Sequence, residues 1–128
     1  MNAERVLIVT GGGSGIGAAV ASRASDEGWT VVITGRRAEA LQRVAAHSSR
    51  IMPRPADMTD EKAVHDLVAR AVEQFGRIDA VVANAGVMFS GSAAETSLAN
   101  WNAALSINLT APFTLARESL PYLRESKG

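Results

Sequence analysis

Five glycines fall within eight residues in TGGGSGIG, Thr10 to Gly17, directly behind the apolar run VLIVT, Val6 to Thr10. An unbroken, β-branched apolar run of this length suits a strand covered on both faces, as in a parallel sheet. Ile16, Ala19, Val20 and Ala24 then recur at helical spacing, so the glycines lie at a strand-to-helix turn. There, glycine permits a tight bend and lets backbone N–H groups and the positive helix end approach a pyrophosphate without a Cβ in the way. Gly13-Ser14-Gly15-Ile16-Gly17-Ala18 fits the G-x-G-x-x-A form of the dinucleotide fingerprint. A P-loop is excluded, because Ala18 and Ala19 stand where that motif needs Lys and Ser or Thr. A glycine turn without a ligand is the plainer alternative, and the position between a buried strand and a helix argues against it.

The alternation continues. TVVITG (Thr30 to Gly35), the shorter RIMPRP around Ile51 and DAVVANAG from Asp79 read as further strands. Leu41, Val44 and Ala45 mark a short helix, and Val64, Leu67, Val68, Ala71, Val72 and Phe75 a clean amphipathic one. Strand and helix in strict order predict right-handed βαβ crossovers and a parallel sheet, a Rossmann-type doubly wound α/β/α fold in one domain of 128 residues. This chain supplies the first half of such a fold, with strand order 3-2-1-4. Thirteen Lys and Arg balance thirteen Asp and Glu, which gives no overall field for nucleic acid or an anionic membrane. With no cysteine, the chain has no disulfide, thiolate chemistry or Cys-based zinc site, and no metal site is expected. Val6 to Val9 is too short for a signal peptide core or a membrane span, so the expected address is the cytoplasm. His47 and His65 lie in polar surroundings with no ligand-type spacing and read as surface residues.

The end of the second strand bears on which dinucleotide is bound. An NAD site calls for Asp or Glu about 20 residues past the glycines, to hold the ribose 2′-OH, whereas Arg accommodates a 2′-phosphate. Here the strand ends in TGRR: Gly35 brings no carboxylate, and Arg36 and Arg37 offer forked, charge-assisted hydrogen bonds. NADP(H) is therefore favoured over NAD(H), against the alternative of two solvated arginines at a helix start.

A long helical region from about Ser97 to Glu125 carries Trp101, Leu105, Leu109, Phe113, Ala116, Leu120 and Leu123. Pro112 within it cannot donate to the carbonyl of Asn108, four residues back. The helix is predicted to kink there and leave that carbonyl free.

Together these segments resemble the short-chain dehydrogenases and reductases, single-domain Rossmann oxidoreductases, over the whole chain. TGGGSGIG is similar to the family's TGxxxGxG loop, with Gly11, Gly15 and Gly17 on its three glycines and Ser14 and Ile16 between them. DMTD places Asp57, followed by Met58, where the family's aspartate bonds the adenine amino group. ANAG resembles the family's NNAG beside the cofactor ribose; Ala83 departs from the first Asn, and Asn84, Ala85 and Gly86 stay in register. SINLTAPF resembles the segment bearing the catalytic asparagine, here Asn108, whose main-chain carbonyl holds a water in the family's proton relay. The resemblance implies NADP(H), a small carbonyl or alcohol as substrate, and homo-oligomers formed by helices of the region from Ser97.

The family's serine, and its tyrosine and lysine in YxxxK, follow a fifth strand that these 128 residues do not reach. Tyr122 and Lys127 are no substitute, since five residues on a helix separate directions by roughly 140°. No serine stands in a G-x-S-x-G elbow. The expectation is a cofactor-binding portion, truncated before the fifth strand and inactive alone, with AVVANAG left as an apolar edge. A non-enzymatic dinucleotide-binding or sensor module stays open beside it, as does an interaction protein that pairs through the long helix.

Overall fold

The computed structural model describes residues 4–128. In chain order the elements are β1 (Val6–Thr10), α1 (Gly15–Asp26), β2 (Thr30–Gly35), α2 (Ala38–Ala45), β3 (Ile51–Pro55), α3 (Glu61–Phe75), β4 (Ala80–Val82), α4 (Leu98–Leu105), a π-helical turn (Ser106–Thr110) and α5 (Ala111–Ser126). The four strands form one parallel sheet in the order β3-β2-β1-β4. This is the Rossmann-type arrangement the sequence predicts.

Strand alternation sends side chains to two separate cores. Ile8 and Val32 face Val64, Leu67, Val68 and Ala71 of α3 and Leu115 of α5, with Ile78 among them. Leu7, Val9, Val31, Ile33 and Ile51 face the other way, onto Ala21 of α1 and Leu41 of α2. Helices thus cover both faces of β1 and β2, and every residue of β1 is buried. The helix spacing read in the sequence gives the buried stripe of α3, whose start is fixed by Asp60 accepting from the Lys62 and Ala63 N–H groups and whose end is fixed by Gly76 at φ 77.

Three local expectations change. β4 is only three residues long and half-buried, paired with β1 alone, so it is not the strand covered on both faces that its apolar sequence suggests. Residues 83–97 form an irregular segment instead of prolonging it. The helical region from Ser97 bears a π-helical turn where a proline kink was expected: the Ala111 N–H reaches five residues back to the Ser106 carbonyl. One residue is thereby inserted into the helix just ahead of Pro112, whose missing N–H then falls in the first turn of α5, where it is tolerated. As expected from the sequence, α5 runs on through Pro121 to Ser126, and Lys127 (φ 58) takes the left-handed position that closes it.

The N-terminal end of β4 is anchored by Asp79. Its carboxylate accepts from the Val6 N–H (2.8 Å) and from Arg77, while its own N–H donates to the Val6 carbonyl (2.9 Å). The Ser126 hydroxyl donates to the Ile78 carbonyl at 2.6 Å, tying the end of α5 to the same corner.

Candidate dinucleotide site

The sheet's C-terminal edge opens into a cavity of about 610 Å³ between β1, β2 and β4. Gly11, Ser14, Gly15, Ile16, Arg36, Arg37, Asp57, Met58, Asn84, Ala85 and Gly86 all line it. Of the residues singled out in the sequence, Gly17 and Asn108 are absent from its surface, and both act from behind it.

Gly17 is buried under the loop. A Cβ there would overlap the Gly11 carbonyl oxygen and come within 2.6 Å of Asn84 Nδ2, so glycine is required by close approach. Gly11 and Gly15 have φ of 64 and 53, the left-handed region that a turn into a helix demands. Thr10, which the sequence reading left as the last strand residue, joins the two halves of the site: its buried hydroxyl accepts from the N–H groups of both Asn84 and Ala85, each at 3.0 Å. The Asn84 side chain donates to the Gly11 carbonyl at 3.3 Å. The segment after β4 is therefore held against the glycine loop by three bonds although it belongs to no strand.

Asn108 continues this line of bonds. Its Oδ1 accepts from the Val87 N–H (2.8 Å) and its Nδ2 donates to the Val87 carbonyl (2.7 Å). The side chain clamps the wall of the cavity from the π turn, a task that the sequence did not show. A Cβ on Gly86 would meet Asn108 Oδ1 at 3.3 Å, so a side chain there would press on the clamp.

At the other end of the cavity, Asp57 Oδ1 accepts from the hydroxyl (2.7 Å) and the N–H (2.9 Å) of Thr59. The Thr59 hydroxyl first, then its amide, hold the carboxyl below its ordinary range, and the charge of Arg36 adds to them against the effect of burial. Asp57 is not the helix cap, a role that Asp60 takes. Among the described residues, no hydrogen bond engages its Oδ2, which leaves that oxygen able to accept. Arg36 and Arg37 are exposed beside it, and no ion pair or hydrogen bond among the described residues engages either guanidinium. Met58 packs inward, its sulfur 4.0 Å from the Thr34 hydroxyl.

His47 pairs with Asp26 and His65 with Glu118 at the surface, away from the cavity. Among the described residues no group of three or more His, Cys, Asp or Glu could hold a metal ion. Tyr122 packs on the core behind α3, and Lys127 lies past the end of α5.

A glycine-floored cradle at a strand-to-helix turn, a carboxylate beside it and two guanidinium groups with no partner among the described residues are what a dinucleotide-binding Rossmann domain presents. The family model of the short chain dehydrogenases matches residues 5–128, and the chain belongs to that family of oxidoreductases, which bind a nicotinamide dinucleotide. It is 36% identical over 127 residues to the meso-2,3-butanediol dehydrogenase of Serratia marcescens, an alignment covering 98% of this chain and 51% of that protein. An oxidoreductase of Staphylococcus aureus strain USA300 is 35% identical, over 95% of this chain and 54% of its own. Among solved structures, a short-chain dehydrogenase from Streptomyces avermitilis superimposes with a TM-score of 0.93 at 33% identity, over 98% of this chain and 47% of that one. A 3-ketoacyl-(acyl-carrier-protein) reductase from Brucella melitensis, complexed with NADH, does so with a TM-score of 0.91 at 28% identity, over 97% and 52% respectively. The chain thus spans about half the length of the relatives it matches.

Proposed function

We propose that this chain is the cofactor-binding portion of a cytoplasmic, homo-oligomeric, NADP(H)-dependent oxidoreductase acting on a small carbonyl or alcohol. The observation that carries the cofactor choice is the end of β2: Gly35 supplies no carboxylate for a 2′-OH, and two exposed guanidinium groups with no partner among the described residues follow it beside Asp57. Gly11, Ser14, Gly15, Ile16 and Gly17 would hold the pyrophosphate, Arg36 and Arg37 the 2′-phosphate, Asp57 and Met58 the adenine, and Asn84, Ala85 and Gly86 the nicotinamide ribose. When bound, the nicotinamide supplies the hydride exchanged with a carbonyl or alcohol carbon. Asn108 fixes the wall at Val87, and its main-chain carbonyl would hold the relay water.

The serine, tyrosine and lysine of the reaction belong, in this reading, to polypeptide following residue 128, and the 128 residues alone do not turn over. The half-exposed edge of β4 supports this, as does a family whose members are about twice as long. Titration with both dinucleotides tests the cofactor choice. NADP+ should bind about tenfold or more tighter than NAD+, as charge-assisted pairing to a phosphate allows, and Arg36→Ala with Arg37→Ala should erase the difference. Equal binding of the two by the unaltered chain overturns the NADP(H) reading. A reading of the coding sequence for a fifth strand, a serine and YxxxK tests the reaction.

One observation removes an objection to the second reading, a non-enzymatic dinucleotide-binding or sensor module. Asn108 gives its side chain to Val87, a service that a binding module would need as much as an enzyme. Its presence therefore does not separate the two, and a stop codon directly after residue 128 would favour the module.

A further inference from the structure

Two aspartates, Asp57 and Asp60, lead from β3 into α3, and their carboxylates go to different uses. Asp60 gives its carboxylate to the helix, accepting from the Lys62 and Ala63 N–H groups. The Asp60 N–H in turn donates to the Asp57 carbonyl at 3.1 Å, which fixes the backbone of Asp57 to a helix packed on the core. Asp57 itself is exposed, and an exposed carboxylate left alone turns among its rotamers. Here it is held through one oxygen, because both the hydroxyl (2.7 Å) and the N–H (2.9 Å) of Thr59 go to Oδ1. Thr59 suits that task, since its β-branched side chain is stiff at χ1.

With Oδ1 occupied and Oδ2 without a partner among the described residues, the carboxylate offers one fixed acceptor at the cavity that Asp57, Met58 and Thr59 all line. The Thr59 hydroxyl first, then its N–H, hold the carboxyl below its ordinary range, so Oδ2 has no proton to donate at neutral pH. Next to it along the chain, the Met58 N–H has no acceptor among the described residues. An oxygen that only accepts, beside an N–H, matches a ligand edge carrying a donor next to an acceptor and rejects one in which the two are exchanged. Adenine, with its 6-amino group and bare N1, has the first edge. Hypoxanthine, with its 6-oxo group and N1–H, has the second.

We infer that Thr59 is a positioning residue for the base: by holding Oδ1 it aims Oδ2 at the purine, and so makes the site select a 6-aminopurine over a 6-oxopurine. The inference rests on reading the cavity as a dinucleotide site with its base at Asp57 and Met58.

The test is titration with NADP+ and with nicotinamide hypoxanthine dinucleotide phosphate, which differ in the base alone, on the unaltered chain, Thr59→Val and Thr59→Ser, each checked for folding by circular dichroism. The unaltered chain should bind NADP+ about tenfold or more tighter than the hypoxanthine form, as the exchange of a charge-assisted hydrogen bond for a repulsion implies. Thr59→Val should bring the two within about threefold of each other, and Thr59→Ser, which keeps the hydroxyl, should hold the preference near that of the unaltered chain. A Thr59 that served only the fold would weaken both ligands alike when replaced and leave their ratio unchanged, and that result overturns the inference. So does a Thr59→Ser ratio as low as that of Thr59→Val. If Thr59→Val fails to fold, the ratios of the unaltered chain and Thr59→Ser decide. Equal binding of the two ligands by the unaltered chain overturns the inference and leaves the dinucleotide site standing, whereas binding of neither removes that reading and the inference with it.

Discussion

Gly17 and Gly15 sit two residues apart and need glycine for different reasons. At Gly17 the obstruction is backbone and a held amide, neither of which can move cheaply, so Gly17→Ala should cost about 3 kcal/mol by overpacking and abolish dinucleotide binding. At Gly15 no atom lies within 4 Å of an added Cβ, so Gly15→Ala should cost only the left-handed strain of about 1 kcal/mol. Urea unfolding of the two variants checks the contrast. Thr10→Val leaves the Ala85 N–H without its acceptor and the Asn84 N–H with the Val82 carbonyl alone, and should cost about 2 kcal/mol by the same measurement. Asp79 gives a pH dependence. Burial pushes its carboxyl up, but the Arg77 guanidinium and the Val6 N–H outweigh this and leave it below its ordinary value. Its contribution is therefore complete above the unfolded carboxyl's pKa, about 4, and is lost as pH falls through the lower folded value. Asp79→Asn should be less stable than the unaltered chain at pH 7, and the gap should narrow as the pH is lowered below the unfolded carboxyl's pKa of about 4; unfolding midpoints across that range test it. The glycines were legible in the sequence because a spacing at a strand-to-helix turn encodes them. The hydroxyl of Thr10 was not, because its two partners lie more than seventy residues away and only the register of β4 brings them to it.

Among the elements, the helix stripe of α3 and the buried runs of β1 and β2 could be read from periodicity alone, because each is decided by one layer of packing. Its cap could have been read as well: Asp60→Ala removes the acceptor for two N–H groups and should cost about 1 kcal/mol, measured by urea unfolding. β4 and the π turn were harder. AVVANAG has the composition of a longer strand, but after Val82 the Thr10 hydroxyl takes the next N–H groups and the ladder stops. Pro112 marked where the last helix would be irregular, and packing chose the form, an inserted residue in place of a bend. The apolar residues of α4 and α5 were legible in the sequence as a stripe that either packs or pairs, since periodicity says that a helix has an apolar side and not what that side meets.

The whole molecule has two cores divided by one sheet, and its cavity lies across the end of that sheet between the β2 and β4 sides. A dinucleotide spanning the cavity would bridge both sides, so its binding should stabilise the chain as a unit. NADP+ at a hundredfold excess over its Kd should raise the unfolding free energy by about 2.7 kcal/mol, read as a shift in the urea midpoint with an unchanged slope. A change in slope instead would mean that only one side is ordered by the ligand.

The two margins of the sheet are chemically unlike, and this follows from β3. The Val31 N–H donates to the Arg50 carbonyl and the Ala56 N–H to the Gly35 carbonyl, so the even-numbered residues of β3 turn toward β2 and the odd-numbered ones outward. Pro53 and Pro55 are odd-numbered, and the outer margin of β3 lacks a donor at both. On β4 the Asp79 N–H turns toward β1, which leaves those of Ala80 and Val82 facing out with no proline among them. The sheet therefore has a closed flank and an open one, and any further strand can be added in one direction only.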